Sequence, residues 1–142
     1  MTQQAYDNIT IFLIDDDDVD FMAVKRSMVQ LGLTNPLVRA RDGIEALDML
    51  NNKHVKVPYL ILLDLNMPRM NGLELLEHIR DDDELSMAVI FVLTTSAADE
   101  DKFAAYSHHV AGYIVKSSLR NGFVNLFDML QQYCSVVELP YQ

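Results

Sequence analysis

Charged and hydroxyl side chains stand directly behind apolar segments of this sequence at several points. Asp15 and Asp16 follow the run ITIFLI, Asp64 ends YLILLD, Thr94 ends AVIFVLT and Lys116 ends GYIVK. Three carboxylates in one place repel each other unless a cation lies among them, and hard oxygen ligands select Mg2+, Mn2+ or Ca2+ over zinc. One carboxylate of such a set can attack phosphorus to form an acyl phosphate, while a hydroxyl and an ammonium stabilise the other phosphoryl oxygens.

These side chains can meet only if the apolar segments lie side by side with their carboxyl ends together. From the apolar runs we predict strands at residues 9–14, 35–40, 59–64, 88–94 and 112–116. From the helical spacing of apolar residues between them we predict helices at residues 18–31, 43–50, 73–80, 99–107 and 121–133. This alternation predicts an α/β fold, with a parallel sheet covered by helices on both faces and its site at the carboxyl ends of the strands.

The length and composition limit the classes of protein to consider. The chain has 142 residues, half of them apolar, which suits one domain with its own core. Its net charge of −10 argues against a nucleic-acid partner. The single cysteine, Cys134, leaves no internal disulfide to form, which fits a reducing compartment. The first basic residue is Lys25 and the apolar runs are short, so we expect a cytoplasmic protein with neither a secretory signal nor a membrane span.

Four motifs in order carry a resemblance to a known family. They are FLIDDDD, LILLDLNMPRMNGLELL, VLTTSA and GYIVK, and Pro68 and Gly72 stand four and eight residues after Asp64. Over residues 9 to about 133 the chain resembles the receiver domain of two-component response regulators. The resemblance implies a flavodoxin-like (βα)5 doubly wound sheet with strand order 2-1-3-4-5. We therefore expect a single receiver domain over residues 1–142, in which residues 134–142 form a short C-terminal extension.

The resemblance also implies where the chemistry takes place. Asp64 would accept a phosphoryl group from a histidine kinase. Mg2+ would be bound by Asp15 and Asp16, by Asp64 itself and by the backbone carbonyl of Asn66. The protein would catalyse its own phosphorylation and dephosphorylation without being a turnover enzyme on metabolites.

Three further residues are implied around the phosphoryl group. Thr94 would donate a hydrogen bond to it, with Thr95 as the alternative hydroxyl, and Lys116 would pair with it. Tyr113 would be the switch aromatic that moves inward when Thr94 is drawn to the phosphoryl group; the alternative is a half-buried aromatic that does not switch.

Two other stretches require a separate interpretation. Of the four consecutive aspartates, Asp17 and Asp18 are expected in the turn after the first strand, with one of them capping the first helix. Ser117 stands where the family usually has a proline, commonly after a cis peptide bond. The conformation of the Lys116–Ser117 peptide, and with it the reach of Lys116, therefore stays open.

The C-terminal segment CSVVELPYQ points to a subgroup of the family. It resembles the tail of small stand-alone receivers that pair with cyanobacterial phytochrome-type kinases. The resemblance implies a phytochrome-type histidine kinase as partner, and a homodimer through the face from strand four to helix five and the C-terminal extension. With no output domain expected after the extension, signalling would depend on protein contacts.

Two other function classes are weighed against this one. The first is a receiver-like binding module that works without phosphorylation; Ser117 favours it, whereas the acids, the threonine and the lysine argue against it. The second is a Mg2+-dependent phosphatase with an aspartyl nucleophile. Such enzymes usually carry a second acid two residues after the nucleophile, where this sequence has Asn66.

Overall fold

The alternating apolar segments form a single parallel sheet in the computed structural model, which describes residues 6–119 and 122–140. The strands are β1 (Thr10–Ile14), β2 (Leu37–Ala40), β3 (Tyr59–Leu63), β4 (Ile90–Thr94) and β5 (Gly112–Val115). The helices are α1 (Asp18–Gln30), α2 (Gly43–Asn51), α3 (Gly72–Asp81), α4 (Asp99–Ser107) and α5 (Val124–Val136). All neighbouring strands are parallel and their order is β2-β1-β3-β4-β5, which confirms the predicted fold class and strand order.

The central strands are apolar throughout because the sheet is covered on both faces. Every residue of β1, β3 and β4 is buried. Alternate side chains of each strand point to opposite faces, so the core divides into two clusters. One cluster joins Phe12, Ile61 and Val92 to α2, α3 and α4. The other joins Leu13 and Leu62 to α1 and α5.

Polar residues at the helix starts fix where several helices begin. Asp17 is the N-cap of α1 and accepts hydrogen bonds from the backbone N–H groups of Val19 and Asp20, which confirms that one of the two aspartates caps this helix. Asp42 caps α2 in the same way. Satisfying these otherwise unpaired N–H groups sets the direction in which each helix leaves the carboxyl edge of the sheet.

The last helix differs from its predicted limits. The predicted start, Asn121, lies outside the described residues, and the described helix runs from Val124 to Val136 rather than ending at Tyr133. The reason is that Cys134 is buried and continues the apolar face of α5. Leu139 beyond the helix is also buried against the same cluster, so part of the C-terminal extension packs on the domain. Within the described residues no helix has the length and hydropathy needed to cross a membrane.

Candidate functional site

The predicted site residues meet at the carboxyl edge of the sheet. Asp15 follows β1, Asp64 follows β3, Thr94 ends β4 and Lys116 follows β5. Asp15 and Thr94 are almost completely buried, Asp64 is buried, and Asp16 is exposed. The strands therefore carry to one place four groups that lie up to about a hundred residues apart in the chain, as their parallel arrangement requires.

Carboxylates of three aspartates form one cluster. Asp15, Asp16 and Asp64 each offer an oxygen, and these oxygens all lie within 4.8 Å of one another. Backbone N–H groups orient two of the three: that of Asp17 donates to Oδ1 of Asp15 at 2.9 Å, and that of Asn66 donates to Oδ1 of Asp64 at 3.1 Å. An all-oxygen set of this size and charge fits a hard divalent cation such as Mg2+, which needs only one or two carboxylates besides water and phosphate oxygens.

The ammonium of Lys116 lies against this cluster. Its Nζ donates to Oδ2 of Asp15 at 2.9 Å and to Oδ2 of Asp64 at 3.3 Å. Its shortest contact, 2.5 Å, is with Oδ2 of Asp20 in the first turn of α1. Asp20 was absent from the sequence predictions, which followed the acidic run only as far as Asp18. The signal that could have found it is its position three residues after the helix cap, where the first turn of α1 returns to the strand edge.

Burial and neighbouring charges shift the pKa values of Asp15 and Lys116. Burial raises the pKa of Asp15 to about 6, although the hydrogen bonds from the Asp17 N–H and Lys116 lower it; the neighbouring charge of Asp64 adds to the rise. Burial alone would lower the pKa of Lys116, but its hydrogen bonds to Asp20 and Asp15 and the nearby negative charges raise it above its ordinary value. The ionised form of Asp15 is thus still short of stabilisation beside one ammonium, which is the electrostatic condition that a bound cation relieves.

Lys116 reaches the acids from a tight turn. Residues Lys116–Ser118 form one turn of 3-10 helix, closed by the backbone N–H of Leu119 donating to the Lys116 carbonyl at 3.1 Å. In the described part of the chain the only cis peptide bond precedes Pro58, so the Lys116–Ser117 peptide is trans. Serine in place of the family's proline therefore leaves Lys116 in contact with Asp64.

The hydroxyl side of the site connects to Tyr113. Thr94 is buried and Thr95 is exposed, and the choice of Thr94 as the hydroxyl that meets a phosphoryl group stays a prediction. The Asn66 side-chain amide donates to Oγ1 of both threonines, at 3.5 and 3.4 Å respectively. The Tyr113 hydroxyl donates to the Ser96 carbonyl at 2.9 Å, and its ring packs against the core cluster of α2, α3 and α4. Tyr113 thus holds the loop after β4; whether it moves stays a prediction.

The loop after Asp64 is fixed by close backbone packing and by an ion pair. Arg69 donates to Oδ2 of Asp42 through Nε and Nη2, at 2.8 and 2.6 Å, and so ties this loop to the start of α2. At Gly72, a Cβ atom would lie 2.5 Å from the Asp64 carbonyl oxygen, closer than any real side chain allows. The loop can therefore fold this closely against the end of β3 only with glycine at that position.

The fold and this site define a class of protein, and comparison with known proteins identifies the same class. Residues 11–128 match the model of the response regulator receiver domain. The chain belongs to that family.

Two individual relatives are similar to this chain over most of its length. Response regulator Rcp1 of Synechocystis sp. is 33% identical over 135 residues, which cover 92% of this chain and 90% of Rcp1. The probable methanogenesis regulatory protein FilR2 of Methanothrix harundinacea is 36% identical over 116 residues, 80% of this chain and 75% of FilR2.

Solved structures give the same grouping. The phosphorylated cyanobacterial phytochrome response regulator RcpA superposes with a TM-score of 0.78 at 30% identity, covering 94% of this chain and 99% of that one. The Mn2+-bound form of Rcp1 superposes with a TM-score of 0.77 at 31% identity, with the same coverage. This receiver is thus of stand-alone size and close to phytochrome response regulators in sequence and structure.

Proposed function

We propose that this receiver accepts a phosphoryl group on Asp64 from a histidine kinase in a Mg2+-dependent phosphorelay, and that it signals through protein contacts. The observation that carries the proposal is the convergence of Asp15, Asp16, Asp64 and Lys116 at one sheet edge, with the buried Thr94 beside them. A phosphorylation-independent binding module does not require these groups, and an aspartyl phosphatase would need a second acid where this chain has Asn66.

Asp64 is the nucleophile in this proposal. One carboxylate oxygen is held by the Asn66 N–H, and the other faces Lys116. One of these two oxygens attacks phosphorus while the phosphorus–nitrogen bond of a phosphohistidine breaks, and the imidazole nitrogen keeps the electron pair. The product is an acyl phosphate on Asp64, whose hydrolysis returns the carboxylate.

The neighbouring groups stabilise the charge that develops on the phosphoryl oxygens. Lys116 offers an ammonium on the Asp64 side, and Thr94 offers a hydroxyl from β4. Asp15, Asp16 and Asp64, with the Asn66 carbonyl, would hold Mg2+. When bound, this ion supplies positive charge against phosphoryl oxygens that would otherwise be repelled by three carboxylates.

The signal would leave the site through the loop after β4. A phosphoryl group on Asp64 would draw the Thr94 hydroxyl, and Ser96, two residues on, is the residue to which Tyr113 is bonded. Movement of this loop would change the positions of α4 and β5 together, which is how a local charge biases a two-state surface.

The same surface is the proposed dimer contact. Exposed apolar side chains on α4 and at the end of α5 support a partner there: Phe103 is 79% and Val136 84% exposed. The similarity to RcpA and Rcp1 supports a phytochrome-type kinase as the phosphoryl donor.

Intact-mass spectrometry tests the phosphoryl chemistry. The protein is incubated with a small acyl-phosphate donor, with and without Mg2+, alongside the variant Asp64→Asn. We expect the mass of one phosphoryl group to appear on the wild type only with Mg2+, and not on the variant. If the wild type gains no mass, or the variant gains the same mass, the proposal fails and a phosphorylation-independent binding module takes its place.

A further inference from the structure

Asp20 is the closest partner of the ammonium at the site, although it lies outside the metal cluster. Its Oδ2 is 2.5 Å from Lys116 Nζ, against 2.9 Å for Asp15 and 3.3 Å for Asp64. The group of aspartates that can share an ion comprises Asp15, Asp16 and Asp64 and does not include Asp20. Asp20 therefore contacts the site although it has no part in the proposed metal binding or phosphoryl transfer.

The fold brings Asp20 to this position. Oδ1 of Asp17 accepts the backbone N–H of Asp20, which fixes the first turn of α1 immediately after β1. The positive end of the helix dipole favours a carboxylate in that turn. At 23% exposure the Asp20 side chain is half-buried, so its contact with the nine-tenths buried Lys116 is partly shielded from water.

The other two partners of Lys116 have a second role. Asp15 and Asp64 would hold a divalent cation, which would compete with the ammonium for their negative charge, and a phosphoryl group on Asp64 would take up one of its carboxylate oxygens. Lys116 is a flexible side chain with a point charge, so it needs a fixed counter-charge to stay in place through these changes. Asp20 is the one carboxylate in contact with it, among the described residues, that neither event removes.

We propose that Asp20 is a positioning residue that holds the Lys116 ammonium beside Asp64 and keeps it from occupying the metal cluster. The inference rests on the proposed function. Without Asp20 the ammonium would be paired with Asp15 and Asp64 alone. There it would compete with the cation for these carboxylates. It would also be displaced from the position at which it meets the phosphoryl oxygens. Both effects act through Lys116, which makes them separable from any effect of Asp20 on folding.

A double-mutant cycle tests this dependence. The rate constant for phosphorylation by a small acyl-phosphate donor at saturating Mg2+ is measured for the wild type, Asp20→Ala, Lys116→Met and the double variant. We expect Asp20→Ala to slow the reaction by about threefold or more in the wild type and to have no effect once Lys116 is replaced, because contacting residues are coupled. Equal slowing in both backgrounds, or none in the wild type, overturns the inference.

Asp18→Ala is the matched control. Asp18 lies in the same turn and carries the same charge, but it pairs with Arg39 and Arg41 rather than with Lys116. We expect its phosphorylation rate to stay within about twofold of the wild type, since its side chain is 69% exposed and its charge is screened by solvent. Slowing equal to that of Asp20→Ala would assign the effect to net charge and overturn the inference.

A second measurement does not depend on phosphoryl transfer. In 15N-labelled protein, an ammonium held by carboxylates exchanges its protons slowly enough to give a lysine Nζ signal, which Lys116→Met assigns by its loss. We expect Asp20→Ala to broaden or shift this signal and Asp18→Ala to leave it unchanged. An unchanged signal in Asp20→Ala overturns the inference. If the wild type takes up no phosphoryl group while the signal responds as expected, the proposed function has failed and the positioning of Lys116 by Asp20 has not.

Discussion

Gly72 provides the sharpest test of how the fold positions Asp64. A Cβ at this position would lie 2.5 Å from the Asp64 carbonyl oxygen, 2.7 Å from the Leu65 Cα and 2.9 Å from the Leu65 Cδ2, whereas ordinary contacts begin at 3.4 Å. The two nearest atoms are backbone, so alanine cannot be accommodated by turning a side chain. The backbone must separate by nearly 1 Å at Asp64, and overpacking of this kind costs about 1–3 kcal/mol.

Urea unfolding and phosphoryl uptake measure the two consequences. With a denaturant slope of roughly 1–3 kcal/mol per molar, a loss near 2 kcal/mol lowers the urea midpoint of Gly72→Ala by about 1 M. Phosphorylation of Asp64 should slow as well, because displacement of a reacting group by ~1 Å is costly for catalysis.

Gly112→Ala is the matched control for this experiment. Its nearest neighbours are side-chain atoms of the Phe91 ring at 3.0 and 3.1 Å, so a Cβ here requires a shift of only a few tenths of an ångström and none of the backbone. We expect a much smaller change in the midpoint and normal phosphoryl uptake. If Gly72→Ala unfolds at the wild-type midpoint and is phosphorylated at the wild-type rate, the account of this packing is wrong.

Three further predictions concern residues outside the reacting groups. Burial works against the ionised form of Asp42, but hydrogen bonds from the α2 backbone and from Arg69 lower its pKa overall. At pH values above the ordinary pKa range of a carboxyl group, the ionised Asp42 therefore stabilises the fold. This contribution is lost as the pH falls through the lowered pKa. Asp42→Asn should therefore lower the free energy of unfolding in urea by about 0.5–1 kcal/mol near neutral pH, a modest figure because Arg69 is over half exposed. The difference from the wild type should disappear in acid, and a difference that is the same at all pH values would refute this. Burial raises the pKa of Cys134 from 9.0 to about 11, so a thiol-directed disulfide reagent should react roughly a hundredfold more slowly with native than with unfolded protein; equal rates would place the thiol at the surface. The Arg80 guanidinium donates to four backbone carbonyls in the loops after α3 and α4. Arg80→Lys should lower the free energy of unfolding by about 1–3 kcal/mol in the same assay, since an ammonium cannot reproduce the hydrogen-bond geometry of the planar guanidinium. An unchanged free energy would show that these hydrogen bonds are replaceable.

The sheet and its site edge could be predicted from the sequence because hydrophobic burial dictates both. Apolar runs such as YLILL are too short for helices but long enough for strands. Because such strands are apolar on both faces, helices must cover both faces of the sheet. Once the strands are parallel, the polar residue that ends each run must lie at the common carboxyl edge. The placement of Asp15, Asp64 and Lys116 therefore follows from local pattern alone.

The remaining features depend on contacts between distant parts of the chain. The end of α5 was misplaced because the burial of Cys134 and Leu139 depends on the neighbouring core, which the helical spacing of the sequence does not show. Asp20 was missed because it lies in the first turn of a helix, whereas the pattern that places the other acids applies only to residues at the ends of strands. The trans conformation of the Lys116–Ser117 peptide likewise belongs to the 3-10 turn at Lys116–Ser118, which the sequence does not predict.

The central claim is that Asp64 is the residue that becomes phosphorylated. Borohydride reduces an aspartyl phosphate to homoserine, so reduction after treatment with an acyl-phosphate donor and Mg2+, followed by peptide sequencing in a mass spectrometer, locates the modified residue. The account predicts homoserine at position 64 and aspartate at positions 15, 16 and 20. Homoserine at any of those three positions, or at none of the four, would contradict it.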